Sequence, residues 1–385
     1  MISELEERAV ELDAADPLAR WRDEFFVPDP ELAYLDGNSL GMPPRRTLDR
    51  VDEVMRGEWG TDLISSWRAR WLELPTRVGD RLAPLIGARE GEVVVHDSTT
   101  INLYQLVRAG LQLRRDRRVI AIDPADFPTD RYVVDAIAGA DGLEVRPGFD
   151  ELDDVAVVVR SMVDYRSAEI VDVATEAARA RAAGALVVWD LSHAAGVVPV
   201  DVHGNGIDLA VGCTYKFLNG GPGAPAFTYV AKQLIEEIDE PFHGWFANAD
   251  QFVMGPEFRP RDDIGRMLVG TPGILGLAAA ECGIAVSAEA GIDAIRAKSI
   301  ELGRFGLECC DALGLETSTP RDDERRGGHL CVHRPDAERI VAAMAAERKV
   351  LADFRKPDVV RLGCSPLTTR FGDVVRATVA VAQGV

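Results

Sequence analysis

The sequence predicts an α/β fold: a large domain built on a mostly parallel sheet flanked by helices, with a smaller α+β domain beside it. Short, continuous apolar runs alternate with helical stretches along the chain, which is typical of a parallel sheet buried on both faces. The chain has 385 residues, 47% of them hydrophobic, and this size suits one large and one small domain.

Five apolar runs are predicted to form strands, at residues 118–122, 155–159, 186–189, 209–212 and 226–230. The alanine-rich segment 171–183 is predicted to be a crossover helix, because its apolar positions recur at helical spacing. Ser98, Thr99 and Thr100 precede another helical run and suit a helix start, where hydroxyls act as caps. Pro272-Gly273 interrupts the chain before a helix predicted from Ile274 to about Ala290.

The charge balance excludes some classes of partner. The formal net charge is −20, and no basic block offsets it, so a nucleic acid or an anionic membrane is not expected to bind. No apolar run has the length of a membrane span, and the first residues are acidic where a signal peptide would be basic. We expect a cytoplasmic enzyme that acts on a small molecule. Six scattered cysteines indicate reduced thiols rather than a disulfide framework.

The chemistry is concentrated in two segments that follow neighbouring strands. Asp190 and His193 come after strand 186–189, and Lys216 comes after strand 209–212. Ligands of open α/β sheets bind at this carboxyl edge. A carboxylate, an imidazole and a lysine in this order suit pyridoxal 5′-phosphate (PLP), since the lysine can bind the aldehyde as a Schiff base and the aspartate can keep the pyridine nitrogen protonated. Taken singly, the lysine would be a surface residue and the aspartate a helix cap.

Further motifs carry a resemblance that runs nearly end to end. They are the segments 34–41 (YLDGNSLG), 97–103 (DSTTINL), 127–130 (FPTD), 190–193, 214–227, 244–246 (GWF), and 270–272 (GTP) with Ile274 and Leu275. With these blocks the chain resembles the kynureninases, which are PLP-dependent enzymes of the fold type I, aminotransferase-like class. The resemblance implies a large domain over residues 49–284 and a discontinuous small domain over 1–48 and 285–385. It also implies a homodimer with the active site at the subunit interface.

The resemblance implies a set of cofactor-binding residues. Lys216 would hold the aldehyde, Asp190 the pyridine nitrogen, and Phe127 would stack on the ring with Asp130 nearby. Taken singly, Phe127 would be a core residue and Asp130 a turn residue. Trp245 resembles a tryptophan near the phosphate that is contributed across the dimer interface. The remaining implied cofactor ligands are Thr99, Thr100, Ser161, His193, Tyr215 and Thr271.

At the substrate end, Arg361 aligns with the arginine that binds the α-carboxylate, a role that suits a planar guanidinium. Arg370 is the competing candidate and could instead be an ion-pair partner. Candidates for the wall around the substrate's aromatic ring are Trp59, Asn38, Ser39 and Thr271. The implied reaction is hydrolysis of the Cβ–Cγ bond of L-kynurenine, or of 3-hydroxy-L-kynurenine, to an anthranilate and L-alanine in tryptophan catabolism. Lys216 would act as the base and Tyr215 as a proton donor.

Two other interpretations stay open. The first, which is closer to a kynureninase, is another fold type I enzyme such as a class V aminotransferase or a cysteine desulfurase. A desulfurase needs a nucleophilic thiol near the substrate, and Cys364 is the only cysteine close to a proposed substrate residue. A non-catalytic PLP-binding protein is the other.

The chain departs from the family pattern at a few positions: Met162 stands where histidine is frequent, Ala168 where glycine is usual, and His243 where a small residue is common. Alternate residues His329, Cys331 and His333 could present metal ligands on one face of a strand. A half-buried strand explains the same pattern, and we expect no metal.

Overall fold

The computed structural model describes residues 1–385. The strands are β1 Ala33–Tyr34, β2 Val93–His96, β3 Val119–Ile122, β4 Glu144–Pro147, β5 Val155–Ser161, β6 Leu186–Asp190, β7 Leu209–Gly212, β8 Ala226–Val230, β9 His329–His333, β10 Val350–Leu351, β11 Asp353–Arg355 and β12 Val359–Gly363. The helices are α1 Ile2–Ala15, α2 Arg45–Glu53, α3 Leu74–Leu82, α4 Thr99–Leu113, α5 Pro128–Asp141, α6 Val173–Ala182, α7 Lys232–Ile235, α8 Ile274–Ala290, α9 Ile292–Ala312, α10 Ala337–Arg348 and α11 Phe371–Gln383.

A seven-stranded sheet forms the centre of the molecule, in the order β2-β8-β7-β6-β5-β3-β4. The neighbours from β7 to β4 pair in parallel, and β8 runs antiparallel to both of its neighbours. The predicted α/β class and mostly parallel sheet are therefore confirmed, and each of the five predicted strands is present.

Both faces of this sheet are buried, which explains why its strands are continuously apolar. Along β6, Leu186 and Val188 belong to one hydrophobic cluster, whereas Val187 and Trp189 belong to the cluster on the other face. Successive side chains of a strand point to opposite faces, so a strand covered on both sides needs apolar residues at every position.

Helix ends follow local capping chemistry. The crossover helix α6 begins at Val173 rather than at residue 171, because the Asp172 side chain accepts a hydrogen bond from the Thr175 amide at 3.1 Å and acts as its N-cap. Helix α4 begins at Thr99, as expected, with Ser98 as its N-cap.

A second group of elements packs around the antiparallel sheet β11-β12-β9. Its hydrophobic cluster joins residues of α9, α10 and α11 with Ala9, Ala33 and Leu35 from the amino-terminal segment. Strand β1 pairs in parallel with β10. The first part of the chain therefore packs against the last part.

The helices do not include a single one that is both long and apolar enough to cross a membrane. Helices α8 and α9 meet such criteria only as a pair, with a bend of 82° between them.

Candidate active site

A cavity of about 280 Å³ opens at the carboxyl edge of the central sheet. Ser161 ends β5, Asp190 ends β6, and Lys216 follows β7, so three adjacent strands deliver these groups to one place. The residues that line the cavity are Ser39, Thr99, Thr100, Phe127, Thr129, Asp130, Ser161, Val163, Tyr165, Asp190, Ser192, His193, Tyr215, Lys216 and Arg355. Ten of these were expected from the sequence, and the structure brings them together.

Lys216 and His193 are in direct contact. Nζ of Lys216 lies 2.9 Å from Nε2 of His193, while Nδ1 of the same ring is buried without a hydrogen-bond partner. Burial, and then the nearby Lys216 charge, hold the pKa of His193 well below its usual range. The imidazole is therefore neutral and can accept a hydrogen bond from the amine.

Carboxylates crowd the wall beside Lys216. Burial, followed by the charges of Asp190 and Asp126, raises the pKa of Asp130 well above its usual range. Burial likewise raises the pKa of Asp126 to about 7. The Asp190 Oδ1 atom accepts a hydrogen bond from the Ser192 amide at 2.9 Å, which fixes the orientation of that carboxyl group.

The amino-terminal end of α4 opens into the cavity. Thr99 and Thr100 occupy its first turn, where backbone N–H groups lack intrahelical partners. The Thr99 Oγ1 atom is buried without a hydrogen-bond partner. Free N–H groups, the helix dipole and the unpaired Thr99 hydroxyl together suit the binding of a phosphate.

The ring of Phe127 provides the apolar wall of the cavity. Its centroid lies 5.9 Å from Nζ of Lys216, and Tyr165 packs edge-on against it at 5.3 Å. The T-shaped contact holds the plane of Phe127 in place, so that a flat heteroaromatic ring can stack on it.

The phenol of Tyr215 stays protonated at neutral pH. The interaction with the neighbouring Cys213 side chain, followed by burial, raises the pKa of Tyr215 above the ordinary value. Tyr215 can therefore donate a proton or a hydrogen bond.

The amino-terminal segment approaches this loop through Gly41. The Gly41 amide donates to the Tyr215 carbonyl at 2.7 Å, and a Cβ at Gly41 would lie 2.4 Å from the Lys216 carbonyl oxygen. Only glycine allows this approach, which carries Ser39 into the cavity wall.

Arg361 is buried behind that wall and is fully engaged. Its Nε donates to Asp353 Oδ1 at 2.7 Å, its Nη2 donates to Asp353 Oδ2, and its Nη1 donates to the Tyr165 carbonyl at 2.9 Å. Ser39 accepts from Nη2 at 3.1 Å. With its amide oriented to satisfy both partners, Asn38 accepts from Nε and Nη2 at 3.2 Å.

Five of the expected site residues do not line the cavity of this chain: Trp59, Asn38, Trp245, Thr271 and Arg361. Trp59 is 56% exposed. Trp245 donates from Nε1 to Thr271 Oγ1 at 3.3 Å, so these two form a separate surface group. Arg370 lies at the start of α11 and pairs with Asp373 at 2.8 Å, which matches the ion-pair role considered for it.

Sequence reasoning missed five lining residues: Thr129, Val163, Tyr165, Ser192 and Arg355. Thr129 and Ser192 lie inside recognised motifs and could have been included for that reason. Arg355 gave no motif, but its alternation with Asp353 along a short strand is a usable signal.

The thiol that a desulfurase would need is not in the cavity. Cys364 is 4% exposed, its thiol contacts the Leu362 carbonyl at 3.5 Å, and burial raises its pKa to about 12. A protonated thiol in the core does not act as a nucleophile.

His329, Cys331 and His333 alternate along β9 as expected, but they do not form a ligand cluster. The His329 ring lies 5.5 Å from the His193 ring, and His333 contacts Asp358 at 3.3 Å. No group of three or more histidine, cysteine or acidic side chains is arranged to hold a metal ion.

Comparison with solved structures shows the fold. The chain superposes on an apo cysteine desulfurase from Thermococcus onnurineus with a TM-score of 0.80 and 19% identity, covering 95% of this chain and 98% of that one. A variant of the lyase C-DES with glycine covalently linked to its PLP cofactor superposes with a TM-score of 0.79 and 16% identity, covering 91% of this chain and 99% of that one. These likenesses confirm fold type I.

Comparison with curated sequences shows the family. A family model described as the kynureninase C-terminal domain matches residues 295–381. The kynureninase of Pseudomonas fluorescens is 41% identical, covering 94% of this chain and 91% of the relative. The kynureninase of Deinococcus radiodurans is 42% identical, covering 96% and 94%. Together with the geometry around Lys216, these matches show that the chain belongs to the kynureninase family, whose members are PLP-dependent hydrolases of carbon–carbon bonds.

Proposed function

We propose that this chain hydrolyses the Cβ–Cγ bond of L-kynurenine in the cavity around Lys216, a reaction of tryptophan catabolism. Water supplies the hydroxyl that converts the side-chain ketone into the carboxylate of anthranilate, and a proton is added at Cβ to give L-alanine. The contact of Lys216 with a neutral His193, beside Asp190 at the carboxyl edge of a fold type I sheet, carries the proposal.

The residues of the cavity fit PLP. The start of α4 and the unpartnered Thr99 hydroxyl suit the phosphate, Phe127 suits a face of the ring, and Asp190 suits the pyridine nitrogen. When bound, PLP supplies an electron sink for the negative charge that develops on the substrate. Lys216 is the residue that binds its aldehyde.

Proton transfer is assigned to two side chains. The Lys216 amine is the base that removes the substrate's α-proton, and His193, which is neutral and 2.9 Å away, holds that amine in position. Tyr215 remains a protonated phenol and is the donor for the later steps. Both side chains line the same cavity, so each can reach a substrate bound there.

The substrate end is assigned to Arg361, with Ser39 and Asn38 beside it. Trp59 and Thr271 are assigned to the wall near the aromatic ring. A bulky indole and a short threonine leave little provision for an added ring hydroxyl, so we expect a higher kcat/KM for kynurenine than for 3-hydroxykynurenine. Equal or better use of the hydroxylated substrate would contradict this assignment of Trp59 and Thr271.

A homodimer is part of the proposal. Large apolar side chains are exposed on segments that carry the expected interface residues: Met55, Trp59, Leu63, Ile64, Trp245, Phe252, Val253 and Met254. Exposed apolar groups of this kind favour association. The cavity of one chain lacks Trp59, Trp245 and Thr271, and a second copy could supply them.

We also propose the division into a large domain, 49–284, and a discontinuous small domain, 1–48 and 285–385. The boundary falls inside α8. Leu277, Ala280 and Ile284 pack with the central sheet, whereas Val286 packs with Leu18 and other residues of the amino-terminal segment, which supports the division.

The assignment of Lys216 is tested by borohydride reduction of the PLP-loaded protein, followed by peptide mapping. The pyridoxyl label is expected on Lys216, and a label on another lysine would contradict the site. An anthranilate assay on L-kynurenine tests the reaction itself, with Lys216→Ala as the inactive control.

A further inference from the structure

The strand pair β11 and β12 places three charged side chains on one face. Asp353 and Arg355 are two residues apart on β11, so their side chains share a face. Arg361 stands directly opposite Asp353 on β12. Cross-strand and diagonal neighbours in an antiparallel pair are close enough to interact, so the two arginines flank one aspartate.

The two guanidinium groups differ in the number of N–H groups that remain free to bind a ligand. The Arg361 side chain is 0% exposed, and its donors go to Asp353, Tyr165 and Ser39. The Arg355 side chain is 33% exposed and lines the cavity that contains Lys216. Its Nη1 donates to the Phe354 carbonyl at 2.7 Å and lies 3.1 Å from Asp353 Oδ2, while its Nε and Nη2 have no hydrogen-bond partner within the chain.

The net charge of this group also indicates that Arg355 is available to bind an anion. Asp353 balances one of the two arginines, which leaves one positive charge in excess. Asp36 is the other acidic group nearby, and burial, with the Asp353 charge next, raises its pKa to about 7, so at neutral pH it carries only part of a negative charge. The excess positive charge therefore lies on the arginine that faces the cavity and has free N–H groups.

We propose that Arg355 is a second ligand of the substrate's α-carboxylate, providing a free N–H edge while Arg361 holds Asp353 behind it. This inference rests on the proposed function, because it takes the substrate to be an α-amino acid bound near Lys216. A two-arginine site explains how Arg361 can belong to the carboxylate site although Asp353 occupies its fork. Arg355 binds the carboxylate directly, and Asp353 is a positioning residue for both arginines.

The test compares ligands that differ only in the carboxylate. L-kynurenine and its decarboxylated analogue, kynuramine, are measured against the PLP-loaded wild type and Arg355→Gln. We expect the variant to raise KM for kynurenine at least tenfold, with a smaller change in kcat, while the inhibition constant of kynuramine stays within about twofold. The matched control is Arg166→Gln, a partly exposed arginine whose guanidinium lies 5.9 Å from the centroid of the Tyr165 ring and does not line the cavity, and it should leave both values unchanged.

Two results would overturn the inference: an unchanged KM for kynurenine in Arg355→Gln, or an equal loss of affinity for kynuramine. If Arg355→Gln does not fold, Arg355→Lys keeps the positive charge and should show a partial rise in KM, since an ammonium cannot present the planar edge; a normal KM there would also refute the proposal. A wild type that releases no anthranilate would refute the proposed function alone. In that case, binding of L-alanine against ethylamine, followed by the absorbance of the bound cofactor, still decides the role of Arg355.

Discussion

Removing the Arg361 side chain should impair both folding and substrate binding, and the structure allows the two effects to be separated. Arg361 is completely buried and forms a two-bond ion pair with Asp353. Arg361→Ala leaves that carboxylate in a low-dielectric site without its partner. Breaking a buried ion pair from one side costs about 3 to 5 kcal/mol, so the free energy of unfolding should fall by about that amount in urea denaturation.

The loss of kcat/KM has a different origin. Arg361 holds Asp353, which lies against Arg355 in the cavity wall. A charge-assisted hydrogen bond from this site to the substrate carboxylate contributes about 1.5 to 3 kcal/mol, so loss of the Arg361 guanidinium should lower kcat/KM by about one to two orders of magnitude. Arg361→Lys should recover only part of this loss. Arg370→Ala is the matched control and should be milder, because Arg370 pairs with Asp373 outside the cavity.

The double variant Arg361→Ala/Asp353→Asn distinguishes the two effects. It removes the orphaned charge, so the free energy of unfolding should rise by about 2 kcal/mol above that of Arg361→Ala. The kcat/KM should remain low, because the proposed carboxylate site still lacks Arg361 and the charged Asp353 that hold Arg355 in position. Full recovery of kcat/KM in the double variant, or an Arg361→Ala protein as stable as the wild type, would refute this account of Arg361.

Three further changes test other parts of the structure. Glu240→Gln should stabilise the protein near pH 8. Burial raises the pKa of Glu240 to about 8 from an ordinary value near 4.5, so between these two pH values the folded state binds a proton that the unfolded state does not, and the free energy of unfolding falls as the pH rises. Thermal melts at pH 5 and pH 8 should show the gain in stability only at the higher pH. Ala168→Gly should raise the free energy of unfolding by about 1 kcal/mol, because Ala168 has a φ of +65° and a glycine adopts this left-handed conformation without the strain that a Cβ atom causes. A lower melting temperature of the variant would contradict this account. Thr99→Val should weaken PLP binding about tenfold with little change in the stability of the apoprotein, because the buried Thr99 hydroxyl has no partner in the chain. A titration with PLP followed by absorbance measures the affinity. An unchanged affinity would remove Thr99 from the proposed phosphate site.

The central sheet could be predicted from sequence because each strand carries its own signal. Residues 186–190 are apolar up to Asp190, and the strand is buried on both faces. The same pattern fixes where the strand ends, so the position of Asp190 at the sheet edge followed directly. Lys216 followed in the same way from the next strand along the chain.

The carboxylate end could not be predicted to the same depth. The sequence predicts Arg361 as the carboxylate ligand, but its pairing with Asp353 depends on the register of a short hairpin, and a shift of one residue would turn every side chain to the other face. Nothing local in the sequence fixes that register. Arg355 was missed because it belongs to no motif and lies on a strand of only three residues, although its alternation with Asp353 is a signal that could have been used.

The residues expected at a subunit interface show a different limit. Trp59 and Trp245 were assigned to the site from resemblance, and in the single chain both are exposed. A sequence can indicate that a residue belongs to a site, but it does not say which copy of the chain supplies it. The distinction requires the assembled oligomer.

The charged side chains around the cavity form two groups, and both groups influence the pKa of His193. The charges that act on Asp130 are those of Asp190, Asp126 and Lys216, whereas those that act on Arg355 come mainly from Arg361, Asp353 and Asp36.

These two groups of charges have no member in common, but both act on His193. Besides burial, the charge of Lys216 from the first group, and those of Arg361 and Arg355 from the second, lower the pKa of His193. Because Arg355 and Lys216 line the same cavity, an amino acid that binds Arg355 through its carboxylate would hold its α-carbon in the cavity that contains the Lys216–His193 contact. The neutral state of His193 is a consequence of burial and of these positive neighbours, and its Nε2 atom can therefore accept a hydrogen bond from the Lys216 amine.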